Sequence, residues 1–267
     1  MSFLLLILAG VFLPLYPQSI LASLVLRRGT DALADNDQPR PWDKAAALVI
    51  LPLIGIGLIT LARSLPGGDD PALLDGFALW GGATSVFYAF RLLSARDGQI
   101  WASQLYVSAL ALIWVGIDHG VSPLLPALAL SASLLPLLLL LDELARRFGI
   151  ARIGLYPGLS LRMPQFALVF IGAVLAAVAI PLSPAFFAIA GIAFGGAVSN
   201  ELVTLLPLGL SWLLWTWAGT NLLGGIVFGQ PREDLTYEDL DRRPALAYAG
   251  ALLALAAAGV LSIGAML

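Results

Sequence analysis

Two apolar runs joined by a short basic connector are the feature that most constrains this chain. The first run ends at Asp142, and the second begins at Pro164 and stops at residues 181–184. Each run is too apolar to face water, and crossing a bilayer takes about 20 such residues in a helix. The stretch therefore predicts two membrane spans joined by a cytoplasmic hairpin. The connector carries four arginines: Arg146, Arg147, Arg152 and Arg162.

The rest of the chain has the same character. Apolar residues make up 60% of the 267 residues and charged residues 12%, and the mean hydropathy is +0.92. A globular domain has about 45–50% apolar and about 25% charged residues, so lipid is the solvent that suits this chain. The apolar runs are continuous, which argues against a barrel, whose strands alternate in polarity. We predict an all-α fold class: a polytopic transmembrane helix bundle of about nine segments, some broken by Pro or Gly.

The predicted organisation is a single transmembrane domain over residues 1–267, with polar connectors at residues 27–44, 142–163 and 229–243. The first apolar run has no basic residues before it, which favours a retained span over a cleaved signal peptide. The connectors after the first, third and fifth spans hold most of the Lys and Arg. The positive-inside rule therefore predicts that these connectors are cytoplasmic and that the N-terminus is outside. Connector 229–243 is then expected outside, although it also carries arginines.

Several function classes are disfavoured by composition. The chain has no cysteine, one histidine and a net charge of −3. We therefore expect no Fe–S cluster, thiolate metal site, disulfide or haem, and no nucleic-acid partner. No nucleophile constellation and no Gly-rich phosphate loop is visible, so we expect no cofactor and no enzyme activity of the chain on its own.

Proline and glycine within the spans predict local breaks or close contacts. Pro14 and Pro17 predict a kink or a helix end in the first span. Pro52 with Gly55 predicts either a broken helix that lines a cavity or a kink that serves packing. The pair Gly81–Gly82 suits a close helix contact. Residues 202–228 are predicted to form another interrupted helix with an aromatic face.

Aromatic and acidic residues near the span ends are interpreted by position. Trp101, Tyr106 and Trp114 are expected to lie near the membrane interface. Asp118 and His119 follow the fourth span and form either a proton relay or a wetted helix end. Glu201 interrupts a long apolar stretch and lies either at a headgroup-level turn or inside the bundle as a functional group. These three residues, Asp118, His119 and Glu201, are the candidates for an ion path.

Several short motifs occur in the same order as in one known family. The chain resembles the later part of the antiporter-like membrane subunits of respiratory complex I, which are related to Mrp-type Na⁺/H⁺ antiporters and to membrane subunits of inorganic-carbon uptake complexes. The most specific motif is Arg162-Met163-Pro164, after a basic connector and before a span that closes on a Leu-Pro-x-Ser-like turn. The residues that carry the resemblance as structural motifs are Pro14, Pro17, Arg162, Met163, Pro164, Pro181 and Pro184.

The resemblance also shows what this chain lacks. Relatives move protons along buried Lys, Glu and His residues, and the early helices that supply the buried Glu have no counterpart here. Residues 52–54 are apolar where a mid-helix Lys is expected, and residues 127–135 replace a segment that in relatives usually holds His and Lys. Gln99 stands where another Lys is expected. No Lys follows Lys44. A proton wire needs titratable groups or water-filled polar gaps along its path, so the resemblance implies a shortened, accessory relative.

Two functions of different kinds remain open at this point. The first is a structural, antiporter-like subunit of a multi-subunit ion-translocating complex, in which it packs against other membrane subunits, including a full-length antiporter-like subunit. The parent is a complex I-like or an inorganic-carbon uptake assembly, with redox or carbon-hydration chemistry in other subunits. The second is an active proton- or cation-conducting half-channel that uses Glu201, Asp118 and His119; an unrelated small-solute carrier is a further alternative. We expect an integral protein of the bacterial inner membrane.

Overall fold

A computed structural model describes residues 1–19, 41–118, 120–198, 202–233, 235 and 237–261. Within these residues the chain forms ten helices joined by short connectors, and the only strand-like feature among them is an isolated bridge between Asp97 and Arg152. The predicted all-α class is therefore confirmed. In chain order the helices are α1 (Ser2–Phe12), α2 (Pro41–Arg63), α3 (Pro71–Leu92), α4 (Gly98–Asp118), α5 (Leu124–Phe148), α6 (Leu159–Arg162), α7 (Pro164–Ala177), α8 (Pro184–Val198), α9 (Leu202–Ile226) and α10 (Arg242–Leu261).

Four stretches of the described helices are long and apolar enough to cross a membrane. They are Lys44–Arg63, Gly98–Asp118, Leu124–Phe148 and Arg242–Leu261. Shorter apolar helices accompany them, including Ser2–Phe12 and Pro164–Ala177. The chain is thus an integral membrane protein, but the prediction of about nine membrane segments is not confirmed. One reason is that two of the predicted segments, α7 and α8, are short halves placed end to end.

Helix α4 is the centre of the bundle. It packs along α3 and α5 and also contacts α8 and α9, and 94% of its most apolar window is buried. The prediction that Trp101, Tyr106 and Trp114 lie at the membrane interface is wrong, because each is only 1% exposed. Aromatic rings near span ends favour the interface only when the helix faces lipid, and α4 is surrounded by protein.

Close helix contacts depend on glycine at two positions of α3. A Cβ atom on Gly81 would lie 2.6 Å from the Ala111 carbonyl oxygen of α4, and one on Gly82 would lie 3.0 Å from the Pro207 ring of α9. Only a residue without a side chain allows the backbones to approach this closely. The predicted role of the Gly81–Gly82 pair is therefore confirmed.

Helix α2 runs without interruption through Pro52. The broken-helix alternative for this span is thus wrong, and the packing alternative holds. A Cβ atom on Gly55 would lie 2.9 Å from the Leu13 side chain, so this glycine lets α2 and the end of α1 meet.

Helices α7 and α8 are two halves of one interrupted crossing. The connecting residues 178–183 include two non-glycine residues with positive φ, Ala179 at 58° and Leu182 at 85°. The amide of Ala185, at the start of α8, donates to the hydroxyl of Ser133 at 3.2 Å. Ser133 lies in the interior of α5, which is about 37 Å long at 1.5 Å per residue. The break therefore lies at membrane depth and not at a surface.

The first helix ends in a break of the same composition. α1 stops at Phe12, as Pro14 and Pro17 predict. The sequence Pro14-Leu-Tyr-Pro17 matches Pro181-Leu-Ser-Pro184 at the second break. Phe3 contacts Phe77 near the start of α3, whereas Ser19 hydrogen-bonds Tyr88 near its end. The chain therefore runs through the first break in the same direction as α3. Helices α7 and α8 cross the bundle in the opposite direction.

Helix α9 is continuous over 25 residues, so the prediction of an interrupted helix at 202–228 is wrong. Two threonines in its second half, Thr216 and Thr220, do not loosen the backbone. The hydroxyl of Thr216 donates to the Trp212 carbonyl at 3.0 Å, and that of Thr220 donates to the Trp217 carbonyl at 2.7 Å. Both polar groups are satisfied within the helix, which a hydroxyl can do at this spacing.

The two ends of the bundle differ in charge. We define the basic end as the end that holds Lys44, the 93–97 connector, the 149–163 connector and residues 227–241. The opposite, acidic end holds Asp69, Asp70, Asp75 and Asp118. Among the described basic residues, Arg63 alone lies at the acidic end.

The prediction for connector 229–243 is wrong. The Arg147 guanidinium donates to the carbonyl oxygen of Glu238, and the amide of Gly154 donates to the Gly225 carbonyl at 3.0 Å. The connector therefore lies at the same end as the arginine-rich connector after α5. The error came from counting α7 and α8 as two crossings, which inverted the side of everything after them. The described residues 227–233, 235 and 237–241 form no helix.

Candidate functional site

The predicted ion-path residues are not brought together among the described residues. Asp118 ends α4 at the acidic end and is half-buried. His119 and Glu201 lie outside the described residues. Their roles therefore remain predictions.

The family-motif residues lie at helix ends and at the two breaks. Pro14 and Pro184 are buried at the two breaks, whereas Pro17 and Pro181 are exposed. Arg162 ends the short α6 and is exposed. Met163 is fully buried at 0% exposure, and Pro164 opens α7, where its missing N–H costs nothing. The structural role that the resemblance implies for these residues stays a prediction.

The start of α7 is held by a residue from a distant connector. Both carboxylate oxygens of Asp239 accept hydrogen bonds, from the Gln165 amide and the Phe166 amide, each at 3.0 Å. The first amides of a helix have no partner within the helix, and a carboxylate also suits the positive end of the helix dipole. Met163, the residue before α7, offers no side-chain cap. Asp239 therefore caps α7 from more than 70 residues away in sequence, which no local capping pattern predicts.

The start of α8 is satisfied within the membrane by two serine hydroxyls. Ser183 accepts from the Phe186 amide at 3.2 Å, and Ser133 of α5 accepts from the Ala185 amide at 3.2 Å. Unpaired backbone amides cost several kcal/mol in hydrocarbon. These contacts explain how the chain tolerates a helix start at this depth.

A buried ion pair lies at the basic end. The ammonium of Lys44, in the first turn of α2, is 2.5 Å from a carboxylate oxygen of Asp142 on α5. The Gln99 amide of α4 donates to the same oxygen. Lys44 is 7% exposed and Gln99 2%, whereas Asp142 is 29% exposed. The three side chains join α2, α4 and α5 at one point.

This cluster was not predicted from the sequence. Lys44 was expected in the polar connector over residues 27–44, but α2 already begins at Pro41 and buries Lys44. Residues 27–40 lie outside the described residues. The available signal was that Lys44 begins an apolar run, while Asp142 ends one and Gln99 begins another. Helices that alternate in direction bring such positions to the same end.

A second ionic group reinforces the same end. Glu143 pairs with Arg146, and it accepts from Arg147 Nε at 2.7 Å. Arg147 reaches the backbone of Glu238, beside the capping residue Asp239. The last turn of α5 thereby ties the 227–241 segment to the bundle.

A hydroxyl and indole cluster lies in the middle of the bundle, joining α3, α4 and α9. The Ser85 hydroxyl lies 3.1 Å from the Ser108 hydroxyl and 2.8 Å from the Ser211 hydroxyl. Ser108 donates to the Ser85 carbonyl at 2.7 Å and accepts from Trp215 Nε1 at 2.8 Å. All four side chains are 0% exposed. We call this set the serine–indole cluster.

Apart from Lys44 of the ion pair at the basic end, the buried polar side chains of the described residues are neutral hydrogen-bonding groups. The hydroxyls and the indole of the serine–indole cluster satisfy one another and do not titrate at neutral pH. Gln99 Oε1 and Gln104 Oε1 on α4 are buried acceptors with no hydrogen-bond partner among the described atoms. No three His, Asp or Glu side chains of the described residues come together as a metal site would require.

Comparison with solved structures gives strong matches in fold, among them the following three. A chain of the Mrp complex from Dietzia sp. DQ12-45-1b matches with a TM-score of 0.78 and 14% identity, over 97% of this chain and 56% of that one. A chain of respiratory complex I from Thermus thermophilus with bound NADH matches with a TM-score of 0.81 and 18% identity, over 99% and 55%. A chain of the membrane-bound sulfane sulfur reductase, an archaeal respiratory membrane complex, matches with a TM-score of 0.79 and 17% identity, over 97% and 44%.

Comparison by sequence alone gives weaker similarity. A protein of Aquifex aeolicus (strain VF5) with no characterised function is 23% identical over 192 residues, which cover 72% of this chain and 76% of that one. No family model matches the sequence. This chain spans about half the length of the solved chains that it matches. It therefore has the fold of about half of a chain in each of these membrane complexes, which agrees with the resemblance of its motifs to antiporter-like membrane subunits.

Proposed function

We propose that this protein is an accessory, antiporter-like membrane subunit of a multi-subunit ion-translocating complex, with a structural role. The parent is a complex I-like or an inorganic-carbon uptake assembly in the bacterial inner membrane. Redox or carbon-hydration chemistry belongs to other subunits, and this chain needs no cofactor. Its neighbours are other membrane subunits, including a full-length antiporter-like subunit.

The observation that carries the proposal is the serine–indole cluster. It occupies the centre of the bundle, the level at which proton-moving relatives are expected to hold charged groups. Ser85, Ser108, Ser211 and Trp215 bond to one another across three helices and are fully buried. A saturated network of neutral groups fixes helix positions, whereas a proton path needs groups that gain and lose protons.

The surface of the bundle supports a role within a larger assembly. Only 6% of the most apolar window of α10 is buried, and 28% of that of α2. Lipid and neighbouring subunits can both cover such faces, and matching chains come from multi-subunit membrane complexes. We also propose that the basic end faces the cytoplasm, because cytoplasmic connectors carry the excess of Lys and Arg.

Purification tests the partner part of the proposal. The tagged chain, extracted from its native membrane in mild detergent, is expected to bring other membrane subunits with it in fixed stoichiometry. Isolation of the chain alone, with full transport activity after reconstitution, would refute the proposal.

Substitution tests the structural role. Ser108→Ala removes the acceptor of Trp215 and one link to Ser85, so it is expected to reduce the amount of assembled complex. Ion transport per assembled complex should stay unchanged. Ser64→Ala is the matched control, because that hydroxyl is exposed at the acidic end. Loss of transport from a fully assembled Ser108→Ala complex would contradict a purely structural role.

The alternative is a conducting half-channel, and one observation favours it. Lys44, Asp142 and Gln99 form a buried polar cluster at one end of α4, and Asp118 ends the same helix at the other end. Glu201→Gln and Asp118→Asn distinguish the two functions. Unchanged ion or inorganic-carbon uptake in both variants supports the structural role, whereas abolished uptake in a fully assembled complex establishes the conducting one.

A further inference from the structure

A groove of about 540 Å³ lies on the outer face of α3 near the basic end. Its wall is apolar along most of its length and polar where α3 ends. The exposed rings of Phe87 and Phe90 supply much of the apolar part, at 43% and 65% exposure. The lining residues are Val86, Phe87, Phe90, Arg91, Leu93 and Ser94.

Arg91 is held in place at the polar end of the groove. Its guanidinium carbon lies 5.8 Å from the centroid of the Phe87 ring and 5.6 Å from that of Tyr88. Stacking on aromatic rings orients a guanidinium without neutralising its charge. Among the described residues, no carboxylate lies within ion-pair distance of Arg91. The positive charge is therefore available to an anion that enters the groove.

The depth of Arg91 matches that of a lipid headgroup. It lies in the last turn of α3, at the end of the bundle where nearly all described basic residues gather. The phenylalanines lie within about one turn of it on the side toward the membrane interior. A phosphate beside Arg91 thus places an attached acyl chain over Phe87 and Phe90.

We propose that this groove binds an anionic phospholipid from the leaflet at the basic end. The phosphate pairs with Arg91, and one acyl chain packs against Phe87 and Phe90. Charge decides the class of lipid, because basic pockets on the cytoplasmic side of membrane proteins attract anionic headgroups. An apolar protein segment would leave the arginine without a counter-ion, whereas this lipid satisfies both parts of the wall.

Native mass spectrometry of the purified protein tests the proposal. The probes are phosphatidylglycerol and phosphatidylcholine with the same acyl chains, added at equal concentrations. The wild-type protein is expected to retain phosphatidylglycerol preferentially. Arg91→Ala should lower that retention about fivefold, the factor that corresponds to ~1 kcal/mol per basic side chain at the membrane surface. Arg91→Lys should keep most of it, because the charge remains. Phe90→Ala should lower the retention of both lipids.

Two variants serve as matched controls. Arg63→Ala removes an exposed arginine at the acidic end, and Leu79→Ala removes an exposed apolar residue from the other half of α3. Both should retain phosphatidylglycerol like the wild type. Thermal unfolding followed by tryptophan fluorescence shows that each variant is folded. Equal retention of the two lipids by the wild-type protein, no retention of either lipid, or unchanged retention in a folded Arg91→Ala variant would overturn the proposal.

Discussion

The Lys44–Asp142 pair allows a sharp prediction about how the basic end is held together. Lys44 is 7% exposed and Asp142 is 29% exposed. The charge that remains after one partner is removed is therefore buried in one variant and partly exposed in the other. Asp142→Asn leaves an ammonium buried without a counter-charge. Lys44→Met leaves a carboxylate that still reaches water and still accepts from Gln99. We therefore expect Asp142→Asn to be the more destabilising substitution.

The magnitudes follow from burial. Removing one partner of a fully buried pair costs about 3–5 kcal/mol, whereas exposed pairs contribute about 0.2–1 kcal/mol. Because Asp142 is partly exposed, the cost of removing one partner of this pair should be lower than that for a fully buried pair. We expect about 2–3 kcal/mol for Asp142→Asn and about 1–2 kcal/mol for Lys44→Met. The free energy of unfolding of the double variant should be close to that of the less destabilised single variant, because the double variant leaves no unpaired charge.

Reversible unfolding in mixed detergent micelles measures these differences. The chain has seven tryptophans and no cysteine, so intrinsic fluorescence is a suitable signal. The matched control is the exposed Arg63–Asp69 pair, with an N–O distance of 2.6 Å and side chains 39% and 62% exposed. Its coupling free energy in the same double-mutant cycle should stay below about 0.5 kcal/mol.

Two results would refute this reasoning. One is a coupling free energy for Lys44–Asp142 no larger than that for Arg63–Asp69. The other is a greater loss of stability in Lys44→Met than in Asp142→Asn. The double variant also bears on function, because the accessory role predicts that a complex containing it transports ions normally.

Two further predictions concern caps and close contacts. Asp239→Ala should lower the free energy of unfolding by about 1 kcal/mol, because two α7 amides lose their acceptor; Glu238→Ala, which removes only an exposed side chain, should change little. Urea or detergent titration distinguishes the two, and equal effects would contradict the capping role. Gly81→Ala should destabilise the bundle, because the new Cβ would lie 2.6 Å from the Ala111 carbonyl oxygen. Gly76→Ala meets no atom within 4 Å and should be neutral or stabilising by up to about 1 kcal/mol, since Ala is the better helix former; thermal unfolding that ranks the two variants the other way would refute the packing argument.

The features that could be predicted from sequence are those that local chemistry controls. Apolar runs of about 20 residues can satisfy their backbone in lipid only as helices, so the all-α membrane class follows from composition and run length alone. Pro14 and Pro17 end α1 because proline cannot continue a helix hydrogen-bond ladder. The Gly81–Gly82 contact follows in the same way from the absence of side chains.

The errors concern which helix faces protein and which faces lipid. Trp101 and Trp114 are of a residue type that often lies at the membrane interface. Because α4 is enclosed by neighbouring helices, their rings are instead part of the protein core. Lys44 is a residue type expected in a polar connector. The carboxylate of Asp142 at the end of α5 allows its ammonium group to be buried. For the tryptophans the deciding partner is a set of neighbouring helices, and for Lys44 it is a carboxylate 98 residues away along the chain. Local sequence patterns contain neither.

By itself, then, the sequence determined that the chain lies in lipid, that it is helical and where proline breaks its helices. It also carries the motifs that resemble those of antiporter-like subunits. Only the tertiary structure decided that α7 and α8 are one interrupted crossing, which reverses the side predicted for connector 229–243. It also decided that serines and an indole fill the centre of the bundle, and that Asp239 caps a helix far away in sequence. The physical reason is that hydrophobicity and backbone hydrogen bonding act locally, whereas burial and the pairing of polar groups depend on which helices meet.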